Sequence, residues 1–208
     1  MKKFLIGVYN PTIILTYIGV FCAVLGIGVL FSAQATGVFD CLNVVMVLLM
    51  ASGVCDMFDG AVARCFDRTE KEKQFGIQLD SLADTVSFVI FPAVILLSVA
   101  EFNFLSAIIA CFYVFAGIMR LGWFNVTTEE NKGFYKGLPV TFSSIVVPLV
   151  YLVMKLIDIA YLQVAYPVLF ACVGLLFILN FKLKKPGMKF LLVMLALAVV
   201  SIPVLLII

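Results

Sequence analysis

The stretch Cys55–Asp84, CDMFDGAVARCFDRTEKEKQFGIQLDSLAD, places Asp56, Asp59, Asp80 and Asp84 inside or beside two segments that otherwise read as hydrocarbon. A carboxylate at membrane depth is expensive and marks a functional site by default. The aspartates of each pair are three or four residues apart, so each pair shares one face of a helix. One loop joins the two helices, which are expected to run antiparallel side by side so that the acidic faces meet. Clustered carboxylates repel unless a cation lies between them. Two divalent ions would balance the charge, and an all-oxygen donor set suits Mg2+ or Mn2+.

The rest of the chain sets this cluster in a membrane. Of 208 residues, 64% are hydrophobic and 12% charged, with a mean hydropathy of +1.21, whereas soluble domains are only about half apolar. This excludes disorder and makes a soluble enzyme a poor fit. Apolar runs long enough to cross a bilayer as helices fall at roughly 11–33, 38–60, 77–99, 104–124, 138–157, 162–181 and 188–208. The expected fold is an all-α, polytopic transmembrane bundle of about seven spans, a single domain over 1–208. The N-terminal run has a basic start, but it is too long for a signal-peptide core and reads as a retained first span.

Charge sets the orientation. With the N-terminus in the cytoplasm, only Lys155 of the 14 lysines and arginines falls outside. The inside set is Lys2, Lys3, Arg64, Arg68, Lys71, Lys73, Arg120, Lys132, Lys136, Lys182, Lys184, Lys185 and Lys189, an asymmetry that follows the positive-inside rule. The four acids then sit near the inner headgroup level, where metal ions and soluble substrates arrive. The net charge of +2 gives no footprint for nucleic acid.

Six cysteines are scattered singly and no histidine is present. The cysteines read as small buried hydrophobes rather than disulfides or a zinc site. Without histidine, acid–base and metal chemistry fall to carboxylates, and two metals held by carboxylates are a tool of phosphoryl transfer, neutralising charge on attacking and leaving oxygens. Gly60 and Ala63 follow Asp56 and Asp59 by one turn, Arg64 can hold a phosphate, and Gly76 precedes Asp80 by one turn. Small residues in membrane helices also serve helix packing, and Arg68, Lys71 and Lys73 read as an inside anchor.

The set Asp56-x-x-Asp59-Gly60-x-x-Ala63-Arg64, then Gly76-x-x-x-Asp80-x-x-x-Asp84, resembles the signature of the CDP-alcohol phosphotransferases. The resemblance implies six core membrane helices, here roughly 1–183, with an added C-terminal span at roughly 188–208. It implies a homodimer with a two-metal site facing the cytoplasm, which places the chain in a prokaryotic cell membrane. By position, Asp56 and Asp80 would bridge both metals, Asp59 and Asp84 would each complete one, and Asp84 would be the general base. Asp59, Gly60, Ala63, Arg64 and Gly76 would contact the CDP-linked lipid. The loop 65–75 is about three residues longer than the family pattern, in a place where insertions are tolerated.

Two further stretches, Arg120-Leu-x-x-Phe-Asn125 and Gly137-Leu-Pro139, together with Leu79-Asp80-Ser81-Leu82-Ala83-Asp84-x-Val86-Ser87-Phe88, resemble the phosphatidylserine synthase branch. That implies transfer of phosphatidyl from CDP-diacylglycerol to L-serine with release of CMP, with Arg120, Asn125 and Lys136 as candidate acceptor residues. A sibling using glycerol 3-phosphate or inositol phosphate is the alternative within the class. The alternative outside it is a small cation-coupled transporter or channel, which would place its acids at mid-membrane.

Overall fold

The computed structural model describes residues 7–8, 11–36, 41–127, 134–157, 161–184 and 188–207. Lys2, Lys3, Lys132 and Lys185 of the charge count lie outside the described residues. The chain is a bundle of helices: α1 (Ile14–Thr36, entered through a 3-10 turn at Pro11–Ile13), α2 (Cys41–Ala63), α3 (Glu70–Asp84), a π-helical turn (Thr85–Ile90), α4 (Phe91–Val99), α5 (Phe104–Thr127), α6 (Ser143–Ile157), α7 (Leu162–Ile178) and α8 (Met188–Ile207). α3, the π turn and α4 form one rod, Glu70–Val99.

Among the described residues, five helical segments are long and apolar enough to cross a bilayer: Pro11–Ser32, Cys41–Ala63, Glu70–Val99, Phe104–Thr127 and Val140–Ile157. Leu162–Ile178 and Leu195–Leu205 are shorter apolar helices at the two remaining expected positions. The protein is an integral membrane helix bundle. Its outer faces carry exposed Phe21, Phe31, Phe115 and Val126, which would cost heavily in water and nothing against lipid. Its centre is aromatic, with the Tyr113 ring 4.9 Å from Phe170 and 5.3 Å from Phe177.

Two local features depart from the expected layout. The polar loop expected over 65–75 is shorter, because α3 starts at Glu70. Thr69 and Glu72 form a reciprocal capping box: the Glu72 N–H donates to Thr69 Oγ1 (3.3 Å), and the Thr69 N–H donates to Glu72 Oε2 (2.8 Å). Two orphan amides are thus satisfied and helix begins in charged sequence.

The second is a short antiparallel ribbon of β1 (Phe134–Lys136) and β2 (Lys182–Lys184), which sets Lys136 opposite Lys182. Gly137 makes the exit from β1 possible. Its φ is +74°, and a Cβ there would lie 2.8 Å from the Phe177 carbonyl oxygen, so only glycine fits.

At the other end of the bundle, Asn103 and Ser106 cap α5 reciprocally, the Ser106 N–H donating to Asn103 Oδ1 (2.9 Å) and the Asn103 N–H to Ser106 Oγ (3.0 Å). Asn43 Oδ1 accepts from Tyr151 (2.6 Å) and Lys155 (2.9 Å), joining the start of α2 to α6.

Candidate active site

The acidic faces meet. Carboxylate oxygens of Asp56, Asp80 and Asp84 all lie within 4.8 Å of one another. Asp59 lines the same small cavity as these three, so all four belong to one cluster. Carboxylates gathered this closely repel unless a proton or a cation lies among them.

The helices that carry the acids are not simply laid side by side. α1 packs along α2 and also on α3, while the π-helical turn after Asp84 is what packs on α2. α1 therefore contributes directly. Thr16 Oγ1 donates to Asp59 Oδ2 across 3.0 Å, and Ser52 Oγ donates to the Gly19 carbonyl across 3.0 Å, holding α2 to α1 one turn before Asp56. Thr16 was not singled out in the sequence; its only signal there is a hydroxyl in an apolar run.

The cavity among Thr16, Asp56, Asp59, Asp80 and Asp84 is about 10 Å³, the size of a single water or small ion. All-carboxylate donors around a space of that size fit hard divalent cations.

Among the described residues, no other helix comes within 4 Å of a Cβ built on Gly60 or Gly76. A Cβ on Gly60 would meet only Arg64 Nη1, at 3.7 Å, and one on Gly76 only Arg68 Nη1, at 3.5 Å. Two guanidinium groups thus lie over the two glycines. Packing against the described helices does not account for these glycines, and Arg68, expected to be an anchor, shares the arrangement.

The three candidate acceptor residues are divided. Arg120 and Lys136 line one cavity of about 270 Å³, together with Met119, Trp123 and the end of α7. Arg120 is buried, 6% exposed, and its guanidinium lies 5.3 Å from the Phe124 ring centroid. Lys136 Nζ lies 6.0 Å from the Trp123 ring centroid. Asn125 turns toward α3 instead: its Nδ2 donates to Ser81 Oγ (2.9 Å), and Ser81 Oγ lies 3.1 Å from Asn125 Oδ1. Ser81 sits between Asp80 and Asp84, so this pair ties α5 to the helix that carries the acids.

The sequence pattern of the CDP-alcohol phosphatidyltransferase family matches residues 10–200, reaching into α8. The chain is 35% identical over 112 residues to the archaetidylserine synthase of Methanothermobacter thermautotrophicus, covering 53% of this chain and 47% of that protein. It is 34% identical over 105 residues to the CDP-diacylglycerol–serine O-phosphatidyltransferase of Helicobacter pylori, covering 49% and 43%. The enzyme of that same name from Methanocaldococcus jannaschii is 32% identical over 160 residues, 75% of this chain and 73% of the relative. The chain spans about half the length of the first two. No solved structure matches.

Proposed function

Because the chain belongs to the CDP-alcohol phosphatidyltransferase family, we propose that it transfers the phosphatidyl group of CDP-diacylglycerol to L-serine, yielding phosphatidylserine and CMP. The observation that carries this reading is the convergence of Asp56, Asp80 and Asp84 within 4.8 Å, in a chain whose relatives are named for transfer to serine.

Two divalent cations, Mg2+ or Mn2+, are the proposed cofactors. Asp56 and Asp80 would reach both, Asp59 one and Asp84 the other. When bound, such ions neutralise charge on the attacking and leaving oxygens. The chain's own groups do the rest. Gly60, Ala63 and Gly76 leave the helix faces low enough for the CDP group to approach, and Arg64 pairs with its phosphates. Asp84 takes the proton of the serine hydroxyl as its oxygen bonds to phosphorus and the bond to CMP breaks. Arg120 and Lys136, sharing one cavity, supply the cationic surface for the serine carboxylate. Asn125 supports that site indirectly, through Ser81.

The same reading places the N-terminus and the acidic cluster on the cytoplasmic side. The connection between α2 and α3 holds Arg64 and Arg68, Lys71 and Lys73 open α3, and Lys155 lies with Asn43 at the start of α2, the opposite end. A homodimer in a prokaryotic cell membrane is the proposed working form. A cation transporter finds less support, since the acids cluster beside this charged connection. The deciding experiment offers purified protein CDP-diacylglycerol with serine, glycerol 3-phosphate or inositol phosphate and measures CMP release. Release with serine alone is expected. Release with another alcohol and not with serine would replace the acceptor, and no release with any would remove the reaction.

A further inference from the structure

The rod that carries Asp80 and Asp84 changes its winding immediately after Asp84. Residues Thr85–Ile90 are π-helical, with the Phe91 N–H bonding the Val86 carbonyl five residues back. The cause is legible in residue order. In an α-helix the Phe88 carbonyl would accept from the N–H of residue 92, and residue 92 is proline. Proline has no N–H to give, and its ring collides with the carbonyl four residues before it. Widening the turn by one residue relieves the collision. It also rotates the segment before the bulge by about 100° relative to the segment after it.

The Phe88 carbonyl is not left to solvent. It accepts from Tyr113 Oη of α5 at 2.7 Å and from Ser143 Oγ, the first residue of α6, at 3.0 Å. The Ser143 hydroxyl is shared with the Val140 carbonyl at 2.5 Å, so Tyr113 is the principal donor. Tyr113 and Ser143 are both fully buried. Phe88 follows Asp84 by one turn, and it lines the same small cavity as the acids. A deletion of the Tyr113 hydroxyl therefore acts one helical turn from a proposed metal ligand.

We infer that Tyr113, with Ser143 beside it, is a positioning residue. By holding the carbonyl that Pro92 leaves without an α-helical donor, it fixes the π turn, and the π turn fixes the rotation at which Asp80 and Asp84 face Asp56. The inference rests on the metal-binding part of the reading above and on no choice of acceptor. π turns of this kind recur at functional sites, and groups that orient a metal ligand typically cost about 10–100-fold in affinity or activity when removed.

The test compares Tyr113→Phe, Pro92→Ala, the double variant and Tyr151→Phe in the purified full chain. Mn2+ affinity is read by the electron paramagnetic resonance of free Mn2+, alongside thermal stability and CMP release. Tyr113→Phe is expected to weaken Mn2+ binding about 10–100-fold and to lower kcat, while the KM for serine changes little. Tyr151→Phe removes another buried hydroxyl, whose partner is Asn43 on the far end of α2, and is expected to lower stability with Mn2+ affinity unchanged. Pro92→Ala restores a backbone donor to Phe88. In the double variant stability should therefore recover, while Mn2+ affinity stays low because the rod winds as an ordinary α-helix.

Recovery of both together, or a Tyr113→Phe protein that loses stability and keeps full Mn2+ affinity, would overturn the inference. If Tyr113→Phe alone does not fold, the double variant decides: stable with weakened Mn2+ binding supports the inference, and stable with wild-type binding overturns it. Mn2+ affinity is independent of the acceptor, so failure of the serine reaction leaves this result interpretable.

Discussion

Thr16 on α1 donates a hydrogen bond to Asp59 on α2 across 3.0 Å, so the first helix of the bundle orients an acid that the second helix carries. The bond occupies one lone pair of Asp59 Oδ2 and leaves the other oxygen to the cluster. Thr16→Val keeps the shape and removes the donor. Activity at limiting Mg2+ is expected to fall about 10–100-fold, and Thr16→Ser is expected to restore it. A magnesium titration of CMP release checks this, and equal curves for Thr16→Val and wild type would show that the bond does not orient the acid.

Metal dependence follows from the cluster itself. Excess chelator should abolish CMP release, and added Mg2+ or Mn2+ should restore it. Asp56→Asn, Asp59→Asn and Asp80→Asn should each remove activity that no metal concentration recovers, because each replaces a charged donor with a neutral one. Full turnover in chelator would refute a metal-dependent centre.

Much of this arrangement is readable from residue order, for physical reasons. Hydropathy places the helices because a bilayer demands long uninterrupted apolar runs. The spacing of Asp56 and Asp59, and of Asp80 and Asp84, puts each pair on one face whatever surrounds it. What escapes is set by local bonds or by distant pairing. Glu70 to Phe75 read as loop by charge, although Thr69-x-x-Glu72 is a capping box that starts a helix in polar sequence. The β1–β2 ribbon joins two three-residue strands far apart in the chain, too short for any period to show. Asn125 reads as a substrate contact, while its bond to Ser81 depends on how α5 lies against α3, which no single-helix pattern encodes.

Topology is tested by labelling. In a cysteine-free background, Lys71→Cys should react with an impermeant maleimide only from the cytoplasmic side, and Glu101→Cys only from the opposite side. Lys71 lies at the start of the rod Glu70–Val99, and Glu101 in the turn just beyond its end. Labelling of both from one side would mean that the rod does not cross the membrane.

Arg120 is the buried cation of the larger cavity, and a carboxylate bound to it without water would gain a charge-assisted bond. Arg120→Gln is expected to raise the KM for serine about 10–100-fold, the range for losing a hydrogen bond to a charged group. The KM for CDP-diacylglycerol should change little, because Arg64 rather than Arg120 is assigned to the phosphates. Steady-state kinetics with each substrate varied in turn check this. A larger rise for CDP-diacylglycerol than for serine would move Arg120 to the other substrate.

The assignment of the base makes the sharpest kinetic demand. A serine hydroxyl is a poor nucleophile at neutral pH and must lose its proton as it attacks phosphorus. Asp84 follows Asp80 by one turn, its carboxyl oxygen lies within 4.8 Å of those of Asp56 and Asp80, and the chain has no histidine to take the proton instead. Asp84→Asn keeps the size and an acceptor oxygen but removes the basicity. CDP-diacylglycerol should therefore still bind, held by Arg64 and the low faces at Gly60 and Gly76. Turnover should fall by about 10²–10⁴-fold from the lost base, and further if a metal is bound less well. The loss should thus be greater in kcat than in the dissociation constant of CDP-diacylglycerol. Repeating the measurement at saturating Mn2+ separates the two contributions, since the part caused by weak metal binding recovers and the part caused by the missing base does not. If Asp84→Asn retains near-normal kcat with serine at saturating metal, the proton goes elsewhere, and another acid of the cluster must receive it.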